Sequence, residues 1–221
     1  MTIGVRHFSH EFTFPATGTP TWASLVDRWY QLDPFAYGLA ETYSKFQPQL
    51  PPPSLIYLAS ESASNETDWQ FVKSDASSPS KFVHTLPSAR ASALCQVMHW
   101  SGPTICLQNG ADTLTVALAE GAEAITPKTP RVWVISASRV PPLLGFEKTG
   151  NYLIHFFTLL ELNSAPKNEN HFDYQLCKAP TEGPSDGDRA LYHWMSGDAR
   201  GQTKIRIPYQ FEIGLTQVNI L

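Results

Sequence analysis

Apolar and polar positions alternate along this chain in a way that predicts layered α/β structure. Thr21 stands before Trp22, Leu25, Val26 and Trp29, the spacing of an amphipathic helix behind an N-cap, and Asp33-Pro34 is expected to end it. A second short helix is predicted over 40–46. Pro51-Pro52-Pro53 then forms a stiff lead into Leu55-Ile56-Tyr57-Leu58-Ala59, five apolar residues in a row. A run without alternation fits a strand covered on both faces.

Residues 60–80 are polar and Ser-rich, which predicts a loop with one helical turn around Trp69 and Phe71. Pro87 suits the first position of a helix carrying Ala91, Leu94, Cys95 and Met98, stopped by Ser101-Gly102-Pro103. Thr104-Ile105-Cys106-Leu107 reads as a strand and Asn109-Gly110 as a tight turn. Ala111 or Asp112 begins a further helix with Leu114, Ala117, Leu118, Gly121 and Ile125, in which Glu120 and Glu123 are the only charges after Asp112. So bland a helix is normally buried.

Val132-Trp133-Val134-Ile135 and 152–162 read as two more strands. Residues 163–188 are rich in Pro, Gly and Asn and are expected to form an excursion with little core. A short helix over 189–196 and a closing strand over 204–213 complete the pattern. The strand–helix–strand–helix–strand order in the middle implies an α/β fold in a single domain spanning 1–221, without internal repeats.

Composition narrows the function classes. Charged residues make up 16% of the 221, against about a quarter in an average protein. So little charge leaves much neutral surface, as expected of a chain buried against a partner. Sixteen basic and twenty acidic residues give a net charge of −4, and no Lys/Arg cluster follows a phosphate backbone, so nucleic acid is not an expected partner. Apolar runs of about five residues are far short of the ~20 that span a bilayer, and the first fourteen residues lack a signal-peptide core, which predicts a cytoplasmic protein.

Candidate chemistry is thin. Cys95, Cys106 and Cys177 are too few and too unevenly spaced for a disulfide framework or a zinc site. Of seven histidines only His7 and His10 are close in sequence, and no third ligand accompanies them, so neither a metal nor another cofactor is expected. Glu161 and Asp188 are isolated carboxylates. There is no G-x-S-x-G elbow, Walker loop, G-x-G-x-x-G fingerprint or H-E-x-x-H helix. The strand-to-helix corner Gln108-Asn109-Gly110-Ala111-Asp112 is the sort of place where enzymes mount a nucleophile on a helix N-terminus, yet it holds none.

These residues carry a resemblance. Ser78-Pro79, Phe82-Val83, the Ala-rich helix and the run from Gly102-Pro103 to Asp112-Thr113 resemble the N-terminal half of β-ketoacyl synthases of the thiolase fold. The likeness is good over 55–138 and weaker beyond. Laid on the family's Gly-Pro corner without gaps, Ala111 falls where active synthases have their nucleophilic cysteine, and the family's two histidine motifs are missing. The resemblance therefore implies a thiolase-like half-fold that cannot perform decarboxylative condensation.

Among such relatives the chain looks like the short chain length factors of aryl polyene pigment pathways, which pair with an active ketosynthase and meet acyl carrier protein only indirectly. The likeness implies that Thr104, Ile105, Cys106, Leu107 and Gln108 pair antiparallel with a partner strand, and that Phe82, His84 and Leu86 wall the acyl tunnel. Two alternatives remain: a thiolase-like acyltransferase or decarboxylase using a displaced thiol, Cys106 or Cys177, and a self-associating half-synthase that binds acyl carrier protein.

Overall fold

The computed structural model describes residues 3–13, 18–59, 71–73, 79–83, 86–108, 113–140, 152–162, 171–178, 202–207 and 211–218. Strand β1 (Ile3–Thr13) leads to helix α1 (Pro34–Phe46) and strand β2 (Leu55–Ala59). Then come the single turn α2 (Pro79–Val83), helix α3 (Pro87–Met98), strand β3 (Thr104–Leu107) and helix α4 (Thr113–Ala124). Strands β4 (Arg131–Val140), β5 (Tyr152–Leu162), β6 (His171–Lys178), β7 (Gln202–Ile207) and β8 (Phe211–Val218) follow.

All eight strands form one sheet in the order β3-β2-β4-β5-β1-β6-β8-β7. Strand β2 runs parallel to both neighbours, with Tyr57 opposite Ile105 on β3 and Val134 on β4. Every residue of β2 is buried, as its unbroken apolar run requires. Its ladder is primed from both sides, because Ser54 N donates to Arg131 O at 2.8 Å and Ile56 N to Pro103 O at 3.2 Å. From β4 outward the pairing is antiparallel throughout.

Helices cover the parallel part on both faces. On one face α1 and α3 bring Leu39, Ala40, Tyr43, Ala93, Leu94 and Val97 against Ile56, Leu58, Trp133 and Ile135. Trp133, Leu39, Leu94 and Ile135 have almost no exposed surface, and the Tyr43 and Trp133 rings lie 6.0 Å apart. On the other face α4 packs against β2 and β4 with Leu114, Ala117, Leu118, Gly121 and Ala122 buried.

Several local expectations are corrected. The segment after Thr21 is not one helix but two 3-10 turns, Ala23–Leu25 and Trp29–Gln31, separated by Arg28 in a left-handed conformation (φ 52°). Trp22 and Val26 are buried while Leu25 is exposed, so the apolar spacing reflects two anchor points rather than a helical stripe. Asp33-Pro34 starts a helix instead of ending one: Asp33 Oδ1 accepts from Phe35 N (2.8 Å) and Ala36 N (3.1 Å), and Pro34 takes the first turn, where no N–H is needed. The short helix expected over 40–46 is thus the second half of α1.

Within 163–188, expected to carry little core, His171–Lys178 form a strand paired along its full length with β8. The single closing strand over 204–213 is two antiparallel strands, β7 and β8, with Ile207 opposite Phe211. The helix expected over 189–196 lies outside the described residues.

Two substitutions test this core. Trp133→Ala is expected to lower unfolding free energy by about 3–5 kcal/mol in urea titration. Removing the α1 cap by Asp33→Ala is expected to cost about 1 kcal/mol in the same measurement.

Candidate functional site

The candidate site is the corner that joins α3, β3 and α4. Helix α3 ends at His99, whose left-handed backbone (φ 52°) lets its N–H and that of Trp100 reach back to Gln96 O (3.1 Å) and Cys95 O (2.8 Å). The chain then folds back so that the Trp100 indole N–H donates to Thr104 Oγ1 at 3.2 Å. A Cβ at position 102 would collide with the Trp100 ring, so only glycine fits beneath the indole. Gly102 of the Gly-Pro corner is therefore required by close packing.

Strand β3 is one of the two outer edges of the sheet, hydrogen-bonded within the described residues to β2 alone. Its two faces differ. Thr104 and Cys106 face α3, where Trp100 binds Thr104 and both Cys95 and Cys106 pack against the core. Ile105 faces the other way, beside Tyr57, its register partner. Burial, with the Glu120 and Glu123 charges on α4 adding to it, holds the Tyr57 hydroxyl above the ordinary tyrosine range, which places this face on the α4 side. Ile105 is 38% exposed, although Tyr57 beside it is buried.

The thiols here are poorly suited to nucleophilic chemistry. Burial pushes the Cys106 thiol above its usual range, and the nearby Cys95 adds to the shift. Burial does the same to Cys95, offset in part by its hydrogen bond with Thr104. A protonated thiol is neither a good nucleophile nor a good metal ligand. This environment disfavours Cys106 as a displaced nucleophile; Cys177 lies on β6, at the far side of β5 and β1 from the corner.

The residues expected to wall a tunnel are only partly placed. Phe82 on α2 is 51% exposed and Leu86, just before α3, is 43% exposed, and Val83 and Val72 are exposed as well. The Phe82 ring lies 5.7 Å from that of Phe71, so the helical turn at 71–73 and α2 are held together by an aromatic contact. His84 and the elbow residues 109–112, Ala111 included, lie outside the described residues. Gln108 is exposed at the end of β3. The Trp100–Gly102–Thr104 packing has no pattern in the sequence beyond the glycine itself, and only the folded corner reveals it.

Among the described residues no group of three or more His, Cys, Asp or Glu is placed to hold a metal ion, and no helix is long and apolar enough to cross a membrane.

Neither family models nor curated proteins match this chain. Among solved structures, one of a ketosynthase (ApeO) in complex with its chain length factor (ApeC) from Xenorhabdus doucetiae matches with a TM-score of 0.66 and 12% identity. The match covers 98% of this chain and 99% of the other, so the two are similar in length and alike from end to end. The chain thus shares the α/β, thiolase-like fold of that complex, the fold that the resemblance around the Gly-Pro corner implied.

Two outcomes check this description. Gly102→Ala is expected to destabilise the fold by about 1–3 kcal/mol and to shift Trp100 fluorescence as the indole leaves Thr104. Because the Cys95 and Cys106 thiols are raised in the folded state, the folded protein holds their protons more tightly than the unfolded chain. Their contribution to stability is therefore full at neutral pH and is lost as pH rises above the ordinary thiol range. Denaturation followed across alkaline pH, with and without Cys95→Ala/Cys106→Ala, is expected to show a smaller decline in the double variant.

Proposed function

We propose that this chain is a non-catalytic, chain-length-factor-like subunit that pairs with an active ketosynthase through β3 and helps shape its acyl or polyene tunnel. The observation that carries the reading is the contrast between the two edges of the sheet. Strand β7, at one end, carries Lys204 and Arg206, charges of the kind that discourage a further strand from adding. Strand β3, at the other end, reads Thr-Ile-Cys-Leu, with no charge and with Ile105 exposed. An uncharged edge with an exposed apolar residue is an aggregation hazard unless another strand covers it, and a partner strand removes the hazard.

Other features support the same reading. The structural neighbour is a complex between a ketosynthase and its chain length factor. Ala111, on the resemblance to synthases, replaces the nucleophile, and burial pushes the thiol of Cys106, in the described strand next to that corner, above its usual range. Exposed Phe82 and Leu86, together with His84, then supply apolar surface to a tunnel completed by the partner. Contact with acyl carrier protein is made through that partner. An obligate interface of this type buries more than ~2,000 Å².

Co-expression with a full-length ketosynthase from the source genome, followed by size exclusion, is expected to yield a single heteromeric peak. A stable monomer that ignores the ketosynthase would overturn the proposal. A homodimer formed by the lone chain, seen by light scattering, would favour the self-associating half-synthase instead.

A further inference from the structure

The two faces of β3 are unequal, and the inequality constrains what can pair with it. On the α3 face the Trp100 indole is hydrogen-bonded to Thr104, and Cys95 and Cys106, both half-buried, pack against the core. On the α4 face Ile105 is open, although its register neighbour Tyr57 is almost completely buried. Side chains directly opposite one another across a strand pair lie on the same face, with Cβ atoms about 4.5–5.5 Å apart. A strand added to β3 therefore meets Thr104 and Cys106 where each is already half-buried, and meets Ile105, the most exposed residue of the strand, where more apolar surface is left to cover.

From this the geometry points to Ile105 as the anchor that sets the partner's register. The strand that adds to β3 is an uncharged one with an apolar residue opposite Ile105 on the α4 side, and it binds through that face rather than through the α3 face. Shifting the added strand by one residue would turn its apolar set to the α3 side and leave Ile105 opposite a gap or a polar group. This inference rests on the subunit reading above and adds to it which residue selects the partner.

The test uses the full chain co-expressed with the same ketosynthase. Ile105→Lys is expected to lower capture of the ketosynthase at least tenfold, while Ile105→Val stays within about threefold of wild type, since it keeps an apolar, β-branched side chain. Melting of the lone chain is expected to move by no more than about 3 °C, because the side chain is on the surface there. Should lysine lower the melting temperature further, Ile105→Thr carries the comparison in its place, with the same expected loss of capture. Capture by Ile105→Lys or Ile105→Thr equal to wild type overturns the anchor assignment and leaves the subunit reading standing. Failure of the wild-type chain itself to capture the ketosynthase overturns the subunit reading, so the two failures are distinct.

Discussion

Strand β2 has no polar side: all five of its residues are buried, and such a strand is stable only between two neighbouring strands and two covering layers. The rest of the parallel region answers that demand. Strands β3 and β4 take its two edges, α1 and α3 cover one face, and α4 covers the other. Because α3 must return the chain to lie beside β2, it ends in a left-handed His99 and a corner so tight that Trp100 lies directly on Gly102. The corner is thus a consequence of burying β2.

The same construction leaves β3 in an unusual position. It is short, it is parallel to β2, and nothing among the described elements lies beyond it. The sheet grows in the opposite direction instead, through the antiparallel strands β5, β1, β6, β8 and β7, and finishes in a strand bearing Lys204 and Arg206. Growth to one side and an uncharged stop on the other give the molecule a polarity that a self-contained α/β domain does not need. Close to that corner, burial pushes the Cys95 and Cys106 thiols above their usual range. The proposed association would account for that polarity, because backbone groups at an edge gain protein partners when a second strand arrives.

Much of the central fold was legible in the sequence. The apolar runs at 55–59 and 132–135, the proline at 87 and the Ser101-Gly102-Pro103 stop each act through local physics: burial on two faces, a pre-set φ, and a break in hydrogen bonding. Strand β5 was read with its observed limits, since aromatic and aliphatic residues dominate its eleven positions. Where local signals served two purposes, they misled. An Asp-Pro pair both stops one segment and caps the next, and here the cap prevailed because Asp33 could reach the free N–H groups of Phe35 and Ala36. The Trp22 to Trp29 spacing matched a helix only because buried Trp22 and Val26 are four residues apart.

By itself the sequence determined the kind of layers, the buried strands and the Gly-Pro corner with its resemblance to ketosynthases, because these depend on residues adjacent in the chain. It could not decide which strands lie at the edges, that β6 belongs to the sheet, or that Ile105 is open while Tyr57 beside it is closed. Those facts arise from pairings between segments far apart in sequence, such as β2 with β4 or β1 with β5, and from which helix settles on which face. Edge and interior strands are made of the same residue types here, and only their neighbours in space tell them apart.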